Sequence, residues 1–154
     1  MSIVSEDRQF CTFHLDSLFL GIEVLKVQEV LRAQPMTRVP LASSAVKGLI
    51  NLRGQIVTAI DLRERMGLAP RTDGRSPMNV VIRTGEGAVS LLVDEIGDVL
   101  EPSERQYEEP PMTLPARARE LIRGVYKLPD RLLLVLDTER VLQLEGSVPG
   151  AALG

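Results

Sequence analysis

The sequence predicts an all-β protein with short helices, built as two five-stranded β-barrel subdomains related by an approximate twofold and sharing an apolar core. Three observations predict it. The chain repeats itself internally, its segments alternate apolar and polar residues between turn signals, and two of its strands are apolar on both faces. The repeat is plainest from Val46 to Arg63, VKGLINLRGQIVTAIDLR, which aligns without a gap with IRGVYKLPDRLLLVLDTER from Ile122. Gly48 falls on Gly124, Leu52 on Leu128 and Asp61 on Asp137. A ~60-residue unit buries too little surface to be stable alone, and a small flat sheet leaves open edges, so each repeat is expected to close and to lean on the other. IVTAI (Ile56 to Ile60) and LLLVL (Leu132 to Leu136) support this, because a strand with one wet face would alternate.

The elements follow in order. Gln9 to Leu15 alternates Phe10, Thr12 and His14 against Cys11, Phe13 and Leu15 and is a strand. Asp16-Ser17 is a turn, and Leu18 to Val24 a second strand. Leu25 to Leu31 fits helix and strand periods equally, and Gln34 to Pro40 is a proline-bounded loop. A helical turn at Ser43 to Lys47 precedes the hairpin, whose corner is Arg53-Gly54. Asp61 caps a short helix, with Glu64 placed to complete a capping box and Gly67 to end the helix. Pro70 to Pro77, PRTDGRSP, is a linker. Asn79 to Thr84 and Ala88 to Asp94 are strands about a Gly85-Glu86-Gly87 turn. Glu95 to Leu100 echoes the ambiguous segment, with Val24, Val30 and Leu31 falling on Val93, Val99 and Leu100, and Glu29 on Asp98. Glu101 to Pro115 is a longer, proline-rich version of the earlier loop. The expected organisation is one domain over 9–145, made of repeats at about 9–69 and 78–145 with strand exchange between them allowed, and flexible tails at 1–8 and 146–154.

Composition removes several functions. A net charge of −3 and 3% aromatic residues leave neither a basic face nor stacking platforms for nucleic acid. One cysteine and one histidine make a metal centre improbable, and no cofactor motif is present. No apolar run is long enough to span a membrane, so a cytoplasmic location is expected. Cys11 and His14 point to opposite faces of a strand, so Cys11 is read as a small buried residue and the pair as no catalytic dyad. Asp94, Glu95 and Asp98 lack the spaced ligands of a calcium loop and read as solvated charge. The repeat separates structure from function: Gly48, Gly124, Asp61 and Asp137, kept in both copies, are assigned to turns and caps. The corner is Arg53-Gly54 in one copy and Pro129-Asp130 in the other, so a turn there needs neither Arg53 nor Asn51. Gly54 serves the turn, and Arg53 is a charged side chain with no structural duty. With no catalytic set in view, a binding module is the expectation.

Residues 9 to 145 resemble the CheW-type coupling proteins of bacterial chemotaxis, most specifically in GLINLRG (Gly48 to Gly54), Gln55-Ile56-Val57, Ile60-Asp61-Leu62-Arg63 and GIEVLKVQEV (Gly21 to Val30). Thr58 stands where the family commonly has proline, a change that suits a strand. The resemblance implies a non-enzymatic adaptor, without cofactor, that links the cytoplasmic tip of a methyl-accepting chemoreceptor to the regulatory domain of the histidine kinase CheA, recruited to membrane-associated arrays without inserting into the membrane. It also implies a receptor groove between the barrels, with Val27, Glu29, Arg53 and Val99 as its candidate residues. A coupling protein of a related pathway such as twitching motility shares every feature quoted, and a small-barrel nucleic-acid-binding module is the alternative from another class.

Overall fold

Among the described residues are eleven strands and three short α-helices, with 3₁₀ turns at Val24–Lys26 and Glu104–Gln106: β1 (Phe10–Leu15), β2 (Leu18–Glu23), β3 (Val27–Leu31), β4 (Val46–Leu52), β5 (Gln55–Asp61), α1 (Leu62–Arg65), β6 (Met78–Thr84), β7 (Gly87–Val93), β8 (Glu95–Leu100), β9 (Tyr107–Glu108), α2 (Ala116–Glu120), β10 (Ile122–Lys127), β11 (Leu132–Leu136) and α3 (Thr138–Val141). The computed structural model describes residues 9–40, 43–85 and 87–144, so the predicted tails, and Glu86 of the predicted turn, lie outside the described residues. The two ambiguous segments resolve as strands, the first after a 3₁₀ turn at Val24–Lys26. Helix α2 has no counterpart in the sequence reading.

The strands form two sheets, ordered β8-β1-β2-β11-β10-β9 and β3-β6-β7-β5-β4. Neither sheet belongs to one half of the chain. Each takes a hairpin from one half (β1-β2 or β6-β7) and the rest from the other half: β8, β9, β10 and β11 in the first sheet, β3, β4 and β5 in the second. Without β9 the two orders match element for element, including the parallel pairs β2/β11 and β5/β7. Each repeat hands strands to the other's sheet because its chain crosses between sheets after the first hairpin, at Val24–Lys26 and again at Asp94.

The uniformly apolar strands are buried on both faces, except at Ile56, which is 59% exposed beside the hairpin tip. Leu134 and Leu136 enter a large cluster shared by both sheets, with Phe13, Leu20 and Ile22 from one and Ile60, Ile82 and Leu91 from the other. Leu133 and Val135 point the opposite way, into a small cluster with Phe10, Phe19 and Tyr126. Val57 and Ala59 do the same in the second sheet, with Ile50, Leu52, Val81 and Leu92. One correction to the predicted architecture is needed: the sheets are not closed barrels. Among the described residues no backbone ladder joins β3 to β4, or β8 to β9 or β10. The outer strands of the five-stranded sheet are joined through side chains instead, by the ion pair of Arg53 and Glu29.

The duplicated glycines and aspartates each have a visible cause. Gly48 and Gly124 sit at bulges of their hairpins, where the preceding loop crosses close above the strand. A Cβ on Gly48 would meet the Thr37 backbone, and one on Gly124 would overlap the Tyr107 ring. Asp61 accepts hydrogen bonds from the Arg63 and Glu64 N–H groups, and Asp137 accepts one from Arg140. The Asp61 N–H donates to Ala45 O, and the Asp137 N–H donates to Leu121 O. The capping box predicted at α1 is half formed. Glu64 turns away to accept from the Ser44 hydroxyl, because the Asp61 N–H is already committed. Gly67, at φ +73°, ends α1 as expected, with the Leu68 and Gly67 N–H groups bonded to Arg63 O and Glu64 O. Three arginines then tie the helices in a cycle. Arg117 of α2 donates to Glu64 O of α1, Arg65 of α1 to Val141 O of α3, and Arg140 of α3 to Glu120 O of α2.

Candidate functional site

The β4–β5 hairpin turns through two left-handed residues, Arg53 at φ +52° and Gly54 at φ +89°, between the paired Leu52 and Gln55. Such a turn matches the twist of the flanking strands and favours glycine or asparagine. Arginine in that conformation costs about 1–2 kcal/mol. The Asn51 side chain helps hold it, accepting from the Gly54 N–H at 2.9 Å. That corrects the expectation that Asn51 is idle in the turn. It supplies locally what the second copy obtains from Pro129, whose ring pre-sets its backbone.

At this tip the Arg53 side chain is 71% exposed while its guanidinium donates to the Glu29 carboxylate, which is 20% exposed. Arg53 holds the Glu29 carboxyl below the ordinary range. The pair joins the two outer strands of one sheet, yet leaves most of the guanidinium open. Val27 and Glu29, two apart on β3, would normally share a face, but a bulge lies between them. Val27 pairs with Ile82 of the shared core and packs on that core. Glu29 pairs with Val81, which belongs to the small cluster on the sheet's other face. Val99 lies on β8 in the other sheet, 57% exposed, and pairs with Cys11, which pairs in turn with the core residue Ile22. The structure therefore brings Glu29 and Arg53 together at the hairpin tip. It leaves Val27 packed on the shared core and Val99 exposed on the other sheet.

Two residues behave differently from their sequence reading. Cys11 is half-buried rather than buried, and that partial burial pushes its thiol pKa up. Asp94 is not solvated charge. Its side chain is 12% exposed and bound by Arg63 in two-pronged fashion, Nε to Oδ1 at 2.9 Å and Nη2 to Oδ2 at 2.6 Å. It also accepts from the Asp16 N–H at 2.7 Å, with Arg71 Nη1 at 3.6 Å. The signal that could have exposed it is its place between two strands, with arginines on α1 and in the linker to meet it. Burial pushes the Asp94 carboxyl up, but Arg63, the Asp16 N–H and Arg71 outweigh burial and hold it below its ordinary value of 3.8. A carboxyl lowered in this way stabilises the fold fully above its unfolded value and loses that contribution as pH falls through the folded one. The melting temperature should thus fall in acid, below about pH 4, and Asp94→Asn should flatten that fall. Thermal melts in which the variant declines as steeply as the parent would remove Asp94 from the account.

The comparisons with known proteins agree with this architecture. The CheW-like domain family model matches residues 9–146. The chemotaxis protein CheW of Klebsiella aerogenes is 32% identical over 138 residues, covering 90% of this chain and 83% of that protein. CheW of Treponema pallidum is 28% identical over 145 residues, 92% of this chain and 85% of the relative. The crystal structure of the scaffolding protein CheW from Thermoanaerobacter tengcongensis superimposes with a TM-score of 0.79 at 24% identity, over 90% of this chain and 94% of that one, and shows the same fold. With a family model spanning nearly every described residue, and a relative about one-third identical along nine-tenths of the sequence, the chain belongs to the CheW-like domain family.

Proposed function

We infer that the chain is a non-enzymatic chemotaxis adaptor. It couples the cytoplasmic tips of methyl-accepting chemoreceptors to the regulatory domain of the histidine kinase CheA in membrane-associated arrays. The observation that carries this is the guanidinium of Arg53: exposed, fixed in place by Glu29 and a strained turn, and missing from the second repeat. An amphipathic helix from a receptor tip can lay apolar side chains along the seam bordered by Val27 and Val99, and a carboxylate or carbonyl of that helix can meet Arg53. Contacts of this kind are small, about 1,200 Å² or less, and gain strength by repetition in an array.

No cofactor or metal enters this reading, and the nucleic-acid alternative has no observation in its favour. Among the described residues no helix is long and apolar enough to cross a membrane. On this proposal the adaptor works in the cytoplasm and reaches the membrane through its partners. Titration of the purified protein against a soluble receptor-tip fragment and against the CheA regulatory domain, followed calorimetrically, tests it. Both should bind, and together they should form a ternary complex. Failure of either partner to bind at tens of micromolar, or competition between them, would overturn the adaptor reading.

A further inference from the structure

The chain crosses between the sheets twice, at positions equivalent by the repeat, and the two crossings are held in different ways. Asp94 makes the second, between β7 of one sheet and β8 of the other. Its carboxylate accepts from the β1–β2 turn (the Asp16 N–H) and from α1 (Arg63) and forms an ion pair with Arg71 of the linker at 3.6 Å, and its own N–H donates to His14 O. Arg71 adds Nη2 to the Asp94 carbonyl at 3.4 Å. These are charge-assisted bonds in a partly desolvated setting, the strong kind. They bind a crossing in the second half to three elements of the first half and the linker.

The first crossing, Val24–Lys26, buries none of its three residues, and Leu25 is 53% exposed. Its ties are the Val24 N–H to Gln9 O, the Val27 N–H to Val24 O, the Glu23 carboxylate, which meets Lys26 at 3.6 Å and also accepts from Arg123 of β10, and one exposed arginine nitrogen. That nitrogen, Arg83 Nη1, is shared between the carbonyls of Leu25 at 3.0 Å and Val27 at 3.1 Å. Arg123 anchors only the β2 end of this crossing, and the bonds on its β3 side face solvent, where they hold less firmly than the two-pronged Arg63 pair on an Asp94 side chain only 12% exposed.

We propose that the two crossings form an unequal hinge, in which the Asp94 cluster is the fixed pivot and Val24–Lys26 is the compliant joint that lets β3 shift against the opposite sheet. β3 begins at Val27 and carries Glu29. The functional consequence, which rests on the groove reading above, is that β3 adjusts to an incoming helix while β8, with Val99, stays in place. The hinge itself needs no partner to be observed.

Amide hydrogen exchange on the full chain, expressed as protection factors, tests it directly. Segments 24–28 and 93–97 are equivalent by the repeat, and β3 and β8 are both edge strands, so each serves as the other's control. In the wild type 24–28 should be about ten- to a hundredfold less protected than 93–97. Asp94→Asn should bring 93–97 to the level of 24–28 while β11 keeps its protection. Arg71→Ala, which leaves the Arg63 pair intact, should move 93–97 partway. Arg83→Ala should loosen 24–28 alone. Equal protection of the two crossings in the wild type overturns the proposal. So does an Asp94→Asn variant that leaves 93–97 unchanged or lowers β11 by the same factor.

Discussion

Gly48→Ala is expected to lower stability by about 2–4 kcal/mol, and the melting temperature by about 5–15 °C. An added Cβ would stand 2.6 Å from the Thr37 carbonyl oxygen and 3.1 Å from its carbon. Both are backbone atoms, so no rotamer change relieves the contact. The loop must lift, and lifting it breaks the paired hydrogen bonds between Thr37 and Leu49, at 2.9 and 2.8 Å. Gly124→Ala is the built-in comparison. There the obstructing group is the Tyr107 side chain, 43% exposed, which can swing outward at the expense of its edge contact with Tyr126 at 5.1 Å and of the bond its hydroxyl donates to Arg123 O at 3.4 Å. That loss is about 1–2 kcal/mol. Denaturant melts in which the second glycine proves the costlier would contradict the account of why both copies keep one.

Arg53→Glu should weaken binding of a receptor-tip fragment about thirtyfold or more, corresponding to about 2 kcal/mol, while leaving binding of the kinase regulatory domain unchanged. The new carboxylate would face Glu29 across the sheet edges and repel a partner's acid. The pair it replaces is largely solvated, so the melt should be nearly unchanged. Arg53→Gly separates the guanidinium from the turn. It removes the left-handed strain and should match or exceed wild-type stability while still losing receptor affinity. If the melt collapses in Arg53→Glu, the arginine is a strut of the sheet and the receptor site lies elsewhere. Equal loss of both partners would point the same way.

Much of this molecule was legible in one dimension. The gapless repeat announced two copies of one strand set. The doubly apolar Leu132–Leu136 announced burial on both faces, as the two clusters around it bear out. The duplicated Asp61 and Asp137 announced helix caps, because capping is a local interaction between near neighbours. Asn51 was missed because its partner is a single N–H that only the folded turn aims at it, and Asp94 because its arginines come from α1 and the linker, more than twenty residues away in sequence. α2 went unseen because its five residues, ARARE, carry no apolar period and are held by arginine contacts to other helices.

The order of side chains along the chain therefore determined the strand set, its duplication and its family, since alternation, capping and turn chemistry act over a few residues. Only the tertiary structure decided which half lends strands to which sheet, and that the edges meet through Arg53 and Glu29 rather than through backbone. It alone decided that a bulge turns Val27 to the shared core and Glu29 to the tip. Those outcomes depend on ladders and ion pairs between residues far apart in sequence, whose register no local pattern encodes.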